Sequence, residues 1–199
     1  DPGSSAYLMP AAVRLSGDLD LAVMEEALSD IVARHEILRT SFPAFEGEPI
    51  LRVAPVTAVS LPFEDLSALS EPERQTVLTA ARRQEATLGF DLDLHSPWRA
   101  RLLRLSQDDH VLLFTLHHIL ADEWSLDILL KDLAASYAAL RDGRDTPTVA
   151  ALAYTDFAAW QRSLSFDRER EYWCQQLAGA PVVTPLPADF RRPEQRNGG

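Results

Sequence analysis

The apolar and polar positions along this chain fall into short strands interleaved with amphipathic helices. Tyr7 to Leu15 reads as a strand that Ser16-Gly17 ends. Leu21, Met24, Leu28, Ile31 and Val32 then recur at helical spacing to about Glu36, with Asp20 as N-cap and Leu19 against Met24 as a hydrophobic staple. Leu38 to Phe45 and Pro49 to Val53 predict two strands around Glu46-Gly47-Glu48, and Val56 to Leu61 a further short one. Ser70 and Glu73 form a capping box that starts a helix, and Gly89 is the expected C′ residue.

The clearest pattern lies at mid-chain. Trp98 to Leu105 and His110 to His117 predict a hairpin turned by Ser106-Gln107-Asp108-Asp109. Its second arm, Val111 to Leu116, is almost wholly apolar, the mark of a strand buried on both faces. A long helix follows, with Leu126, Leu129, Leu130, Leu133, Tyr137 and Leu140 on one face and Gly143 as its stop. Asp145 to Val149 reads as a loop. Tyr154 to Leu164 and Asp167 to Ala178 are two more helices, the last closed by Gly179 and Pro181. From Val182 the Pro-rich stretch has no period. Mixed strands and helices without a βαβα rhythm predict an α+β layered subdomain.

Composition narrows the function classes. The 199 residues carry 30 acidic against 19 basic side chains, a net charge of −11, which disfavours nucleic acid and anionic lipid as partners. No apolar run is long enough to span a membrane, and no signal peptide is visible. The single cysteine, Cys174, can form no internal disulfide or multi-thiolate metal site; it reads as a packed thiol and fits a cytoplasmic protein. The opening Asp1-Pro2-Gly3, with no initiator Met, reads as an excised piece of something longer.

The candidate chemistry sits where the buried strand ends, at His117-His118. Successive strand side chains point to opposite faces, so the two cannot share one cavity or chelate one ion. One histidine faces a site and its neighbour is held by packing or hydrogen bonds. A neutral imidazole at cytoplasmic pH suits general-base work, yet a strand histidine is more often structural. Asp122 either caps the next helix or pairs with an arginine.

His117-His118-Ile119-Leu120-Ala121-Asp122-Glu123-Trp124-Ser125 resembles the HHxxxDGWS motif of nonribosomal peptide synthetase condensation domains. Arg34 to Phe42 resembles the upstream RHExLRTxF motif, and Tyr154 to Arg162 the downstream YxDFAxWQR motif. Tyr172-Trp173 and Leu186-Pro187-Ala188-Asp189 resemble the segments that follow. HHxxxD alone would also fit stand-alone acyltransferases of the chloramphenicol-acetyltransferase-like superfamily; the other two motifs favour the condensation family.

The resemblance implies a chloramphenicol-acetyltransferase-like half, a mixed sheet with helices packed on it. Residues 1–180 would be the N-terminal subdomain, and 181–199 an extended tail leading to a C-terminal half that closes a substrate tunnel. The family's opening motif would lie before residue 1. The implied reaction is amide formation between a donor acyl thioester and an acceptor amine, both carried on phosphopantetheine arms by donor and acceptor carrier proteins. No cofactor or metal would be bound by the domain itself, and the isolated piece would be weakly active or inactive.

By position, His118 corresponds to the active-site histidine, His117 to its structural partner and Asp122 to an organiser paired with Arg39. Glu123, Trp124 and Ser125 would border the substrate channel, with Trp124 chiefly a packing residue. Tyr154, Asp156, Trp160, Arg162 and His35 would be structural, and His95 and His110 loop or turn residues. Glu123 stands where the family has Gly. It would alter the acceptor channel, mark a divergent subclass such as an epimerising or modified-residue type, or mark a non-catalytic carrier-recruiting module.

Overall fold

The computed structural model describes residues 4–147 and 153–182. The chain divides into two compact units, residues 1–157 and 158–199, both within or overlapping the stretch expected as one subdomain. Of the expected extended tail, residues 183–199 lie outside the described residues, as does part of the Asp145–Val149 loop.

The first unit is built on a four-stranded mixed sheet. Strands β1 (Leu8–Ser16), β8 (Asp109–His117) and β7 (Trp98–Ser106) are antiparallel, while β6 (Phe63–Asp65) runs parallel to β7. The order across the sheet is β1-β8-β7-β6. Helices α1 (Leu21–Arg34) and α3 (Glu123–Arg141) pack on one face; α2 (Glu71–Thr87) packs on the other. This is the expected α+β class.

The two faces of β8 explain its unbroken apolar run. Leu112, Phe114 and Leu116 join Leu28, Ile31, Leu129 and Leu133 in the larger core. Val111 and Leu113 join Leu78 and Ala81 of α2 in the smaller one. A side-chain period of two therefore sends alternate β8 residues into two different cores. Phe114 and Leu116 are at most 1% exposed, which identifies this strand as the inner wall of both layers.

Helix starts follow the sequence. The Asp20 carboxylate accepts the Ala22 and Val23 N–H groups, and the Glu73 carboxylate accepts the Ser70 N–H at 2.9 Å. Gly143 ends α3 with φ +66°, a left-handed conformation that costs glycine little.

Several local expectations are corrected. Leu38 lies in a short 3-10 turn, Glu36–Arg39, and only dipeptide strands follow: β2 (Thr40–Ser41), β3 (Ala44–Phe45), β4 (Glu48–Pro49) and β5 (Arg52–Val53). The bend between them is tight enough to place Glu46 as well as Gly47 at positive φ. Val56 to Leu61 forms no strand; the sheet edge comes later, at β6, because only that segment lies alongside β7. Gly89 does not take the left-handed conformation, and α2 is closed by the Leu88 N–H on the Gln84 carbonyl. His110 is not a turn residue: it is the second residue of β8 and only 4% exposed.

The last two helices, α4 (Tyr154–Ser163) and α5 (Asp167–Gln176), have the expected positions. Neither buries a residue, and Cys174 is exposed on α5, contrary to the packed thiol expected. No helix among the described residues is long and apolar enough to cross a membrane.

Candidate active site

The site begins with the end of β8. The His117 N–H donates to the Pro97 carbonyl at 2.9 Å and the His118 N–H to the Tyr7 carbonyl at 2.8 Å. The chain then turns, with the Leu120 N–H returning to the His117 carbonyl at 3.0 Å. A strand held by neighbours on both sides up to its last residue presents the pair on a fixed backbone.

His117 lies on the α2 side of the sheet and is half-buried. It lines a concavity of about 480 Å³ with Tyr7, Phe90, Asp91, Leu92 and Asp93. The Tyr7 ring sits 5.8 Å from the imidazole, centroid to centroid. Nδ1 of His117 accepts the Ile119 N–H at 3.0 Å. An accepting Nδ1 carries no proton, so the neutral ring holds its proton on Nε2. Burial, and secondarily the neighbouring His118, push the His117 pKa below the ordinary histidine value. Both effects keep the ring neutral.

His118 is exposed and does not line that concavity, in keeping with opposite faces for adjacent residues. Its ring makes no hydrogen bond among the described residues. A second concavity of about 340 Å³, between the far end of β1 and α3, touches neither histidine.

Asp122 caps α3. Its carboxylate accepts the Ser125 N–H at 2.8 Å and the Ser125 hydroxyl at 2.5 Å. These bonds hold the Asp122 carboxyl below the usual carboxylate range, with His118 a smaller contributor. The expected Asp122–Arg39 ion pair is not formed. Arg39 donates to the Ala54 carbonyl at 2.7 Å and meets Glu36 at 3.4 Å. Each has other partners: the carboxylate takes an otherwise unpaired helix-terminal N–H, and the guanidinium takes the Ala54 carbonyl and Glu36. Arg39 thus ties the 3-10 turn to the Ala54 backbone, and it makes no ion pair with Asp122.

Glu123 is the first residue of α3 and exposed, and it lacks positive φ. The backbone here does not need the glycine of the motif. A carboxylate at a helix N-terminus is also electrostatically favourable. Trp124 is 78% exposed, which corrects the packing role expected of it. The buried stripe of α3 is carried by Leu129, Leu133, Ser136 and Ala139, and Trp124 lies off it. Ser125 is half-buried and serves the cap.

The upstream motif has a structural explanation. Arg34 meets Asp30 at 3.0 Å and Asp132 at 3.7 Å, and His35 Nε2 lies 2.9 Å from Asp132. Ser136, fully buried, donates to Asp30 at 2.7 Å and accepts from Arg34 at 2.8 Å. Arg34-His35 staples α1 to α3, as the structural role expected for His35 requires. His95 lies in an exposed bend, also as expected.

Sequence reasoning missed Tyr7, Phe90, Asp91 and Asp93 around His117. It also missed Glu85, which is buried behind the strand end. Loop residues that converge in space leave no periodic signal. Glu85 did leave one, for it continues the Leu78, Ala81 stripe of α2 and places a carboxylate on a buried face.

Fold and site together define an acyltransferase-like half-domain with a strand-end histidine pair. The Condensation domain family model matches residues 1–198, and the chain belongs to that family. Malpibaldin synthetase of Mortierella alpina is 36% identical over 199 residues, 98% of this chain but 4% of the synthetase. The X-domain in its complex with OxyB from teicoplanin biosynthesis is 37% identical, with a TM-score of 0.77 over 96% of this chain and 42% of that one. The first condensation domain of the calcium-dependent antibiotic synthetase, solved with a substrate analogue, is 31% identical, with a TM-score of 0.72 over 91% of this chain and 44% of that one. The chain thus spans a few hundredths of the curated synthetases and under half of the solved domains it resembles.

Proposed function

We propose that this chain supplies the histidine-bearing half of a condensation site that forms an amide between carrier-bound substrates. The observation that carries this reading is the strand-end pair itself: a neutral, hydrogen-bonded His117 beside an exposed His118 whose ring makes no hydrogen bond among the described residues. In the reaction, the acceptor amine attacks the donor thioester carbon. The C–N bond forms, the C–S bond breaks, and the thiol leaves with a proton. In this reading His118 takes a proton from the acceptor ammonium so that the free amine can attack, or holds the amine; His117 supports it, and Asp122 organises the turn by capping α3.

Donor and acceptor carrier proteins with phosphopantetheine arms, together with the C-terminal half of the domain, complete the site, in a cytoplasmic synthetase. The domain binds no cofactor of its own in this reading. Glu123, Trp124 and Ser125 border the acceptor side. A mass-spectrometric condensation assay of the intact parent with loaded carriers tests this, beside His118→Ala. Amide product that disappears in the variant supports the reading.

A second reading is favoured by one observation, the likeness to an X-domain whose solved complex is with OxyB. Here the chain belongs to a non-catalytic recruiting module, and Glu123 marks the departure. Binding of a carrier or an enzyme partner without any amide product from the intact parent decides for it.

A further inference from the structure

Glu85 lies on α2, 6% exposed, behind the strand end that carries the histidines. Its carboxylate is held from three sides. Arg99 Nε donates to one oxygen at 2.5 Å, and Arg101 Nε lies 3.3 Å from the other. The Thr115 hydroxyl donates at 2.8 Å to the oxygen that Arg99 meets. Both guanidinium groups are also tied to the α2 backbone, Arg99 on the Glu85 carbonyl at 2.9 Å and Arg101 on the Ala81 carbonyl at 3.0 Å.

The location of this cluster distinguishes it from ordinary layer packing. Arg99 faces Thr115 across the β7–β8 pair, one rung before β8 leaves the sheet. Thr115 is two residues before His117 and so shares its face. The Arg99 guanidinium lies over the Phe90 ring at 4.5 Å, and Phe90 is a wall of the concavity that His117 lines. One buried carboxylate therefore touches both the strand that delivers His117 and, through Arg99, the wall His117 faces.

We propose that Glu85 is a positioning residue for the histidine pair, fixing the end of β8 through Thr115 and the neighbouring wall through Arg99. This rests on the condensation reading for its effect on rate, though its effect on the strand end does not. Deleting the carboxylate would strand two partly buried guanidinium groups and endanger the fold. The informative change is Thr115→Val, which keeps volume and β-branching and removes only the hydroxyl, with Thr115→Ser as the conservative control.

The test uses the intact synthetase with loaded carriers. Thr115→Val is expected to lower kcat about tenfold with KM for the loaded acceptor carrier within twofold, and Thr115→Ser to return kcat to within about threefold of wild type. Hydrogen–deuterium exchange on the same proteins is expected to rise in peptides covering Leu116–Ala121 in Thr115→Val and not elsewhere in the sheet. Wild-type exchange at the strand end in Thr115→Val overturns the proposal. So does a loss of activity that Thr115→Ser fails to rescue. If no wild-type sample makes amide, the condensation reading fails while the exchange result still judges the positioning role.

Discussion

Ile119 donates its backbone N–H to Nδ1 of His117, two residues earlier, at 3.0 Å. The turn that takes the chain out of the sheet thereby sets the protonation pattern of the first histidine. His117→Leu fills much of the same space but offers no acceptor to the Ile119 N–H. It is expected to reduce amide formation at least tenfold while leaving carrier binding intact, read by single-turnover kinetics against a carrier pull-down.

The cap on α3 makes a different prediction for Asp122 from the one an ion pair would make. Asp122→Ser keeps an N-cap acceptor and should melt close to wild type; Asp122→Ala should melt lower. Arg39→Ala and Asp122→Ala should be additive in a double-mutant cycle of thermal stability, since the two side chains share no contact. Measured coupling between them would contradict the geometry.

Glu123 has a helical backbone, so Glu123→Gly should leave the fold in place, judged by an unchanged circular dichroism spectrum. The expected change lies in chemistry. Competition between loaded acceptors of different size and charge should show altered selectivity or rate, and identical kinetics would remove the carboxylate from the channel.

Acid should loosen the sheet through His110. Burial and Arg104 push its pKa down, outweighing Asp109, Asp18 and Asp108, which raise it. A histidine with a depressed native pKa binds fewer protons folded than unfolded. Its contribution is therefore complete above the ordinary histidine value of about 6.5 and is lost as pH falls below it. Denaturant midpoints measured from pH 7.5 to 5 should fall, and His110→Leu should flatten part of that slope.

Asp132 receives both Arg34 and His35 from α1. Asp132→Ala leaves both partly buried donors without it and should cost about 1.5–3 kcal/mol, measured by chemical denaturation.

The layered fold was legible because burial on two faces forces an unbroken apolar run. Val111 to Leu116 announces β8, and through it the place where the histidines emerge. Trp124 shows the limit of that legibility: an aromatic residue beside an amphipathic helix looks like core, yet helix phase puts it off the buried stripe. The Asp122–Arg39 pairing failed for another reason. Opposite charges in two motifs say nothing of which other partner claims each first, and here a helix cap took Asp122 while the Ala54 carbonyl and Glu36 took Arg39. The wall around His117 comes from residues near 7 and near 90, a juxtaposition that only the folded sheet creates.

The outer edge of β1 has unequal ends. The His118 N–H to Tyr7 carbonyl bond sets the phase of the β1–β8 ladder, so Leu8, Pro10, Ala12, Arg14 and Ser16 turn their backbone N positions away from β8. Leu8 spends its donor on the Ser5 carbonyl and Pro10 has none. The stretch of edge beside the histidines therefore offers no free backbone donor among the described residues. The outward-facing backbone donors that make no bond among the described residues lie from Ala12 to Ser16, so a segment extending this sheet finds its donors at the end remote from the histidines.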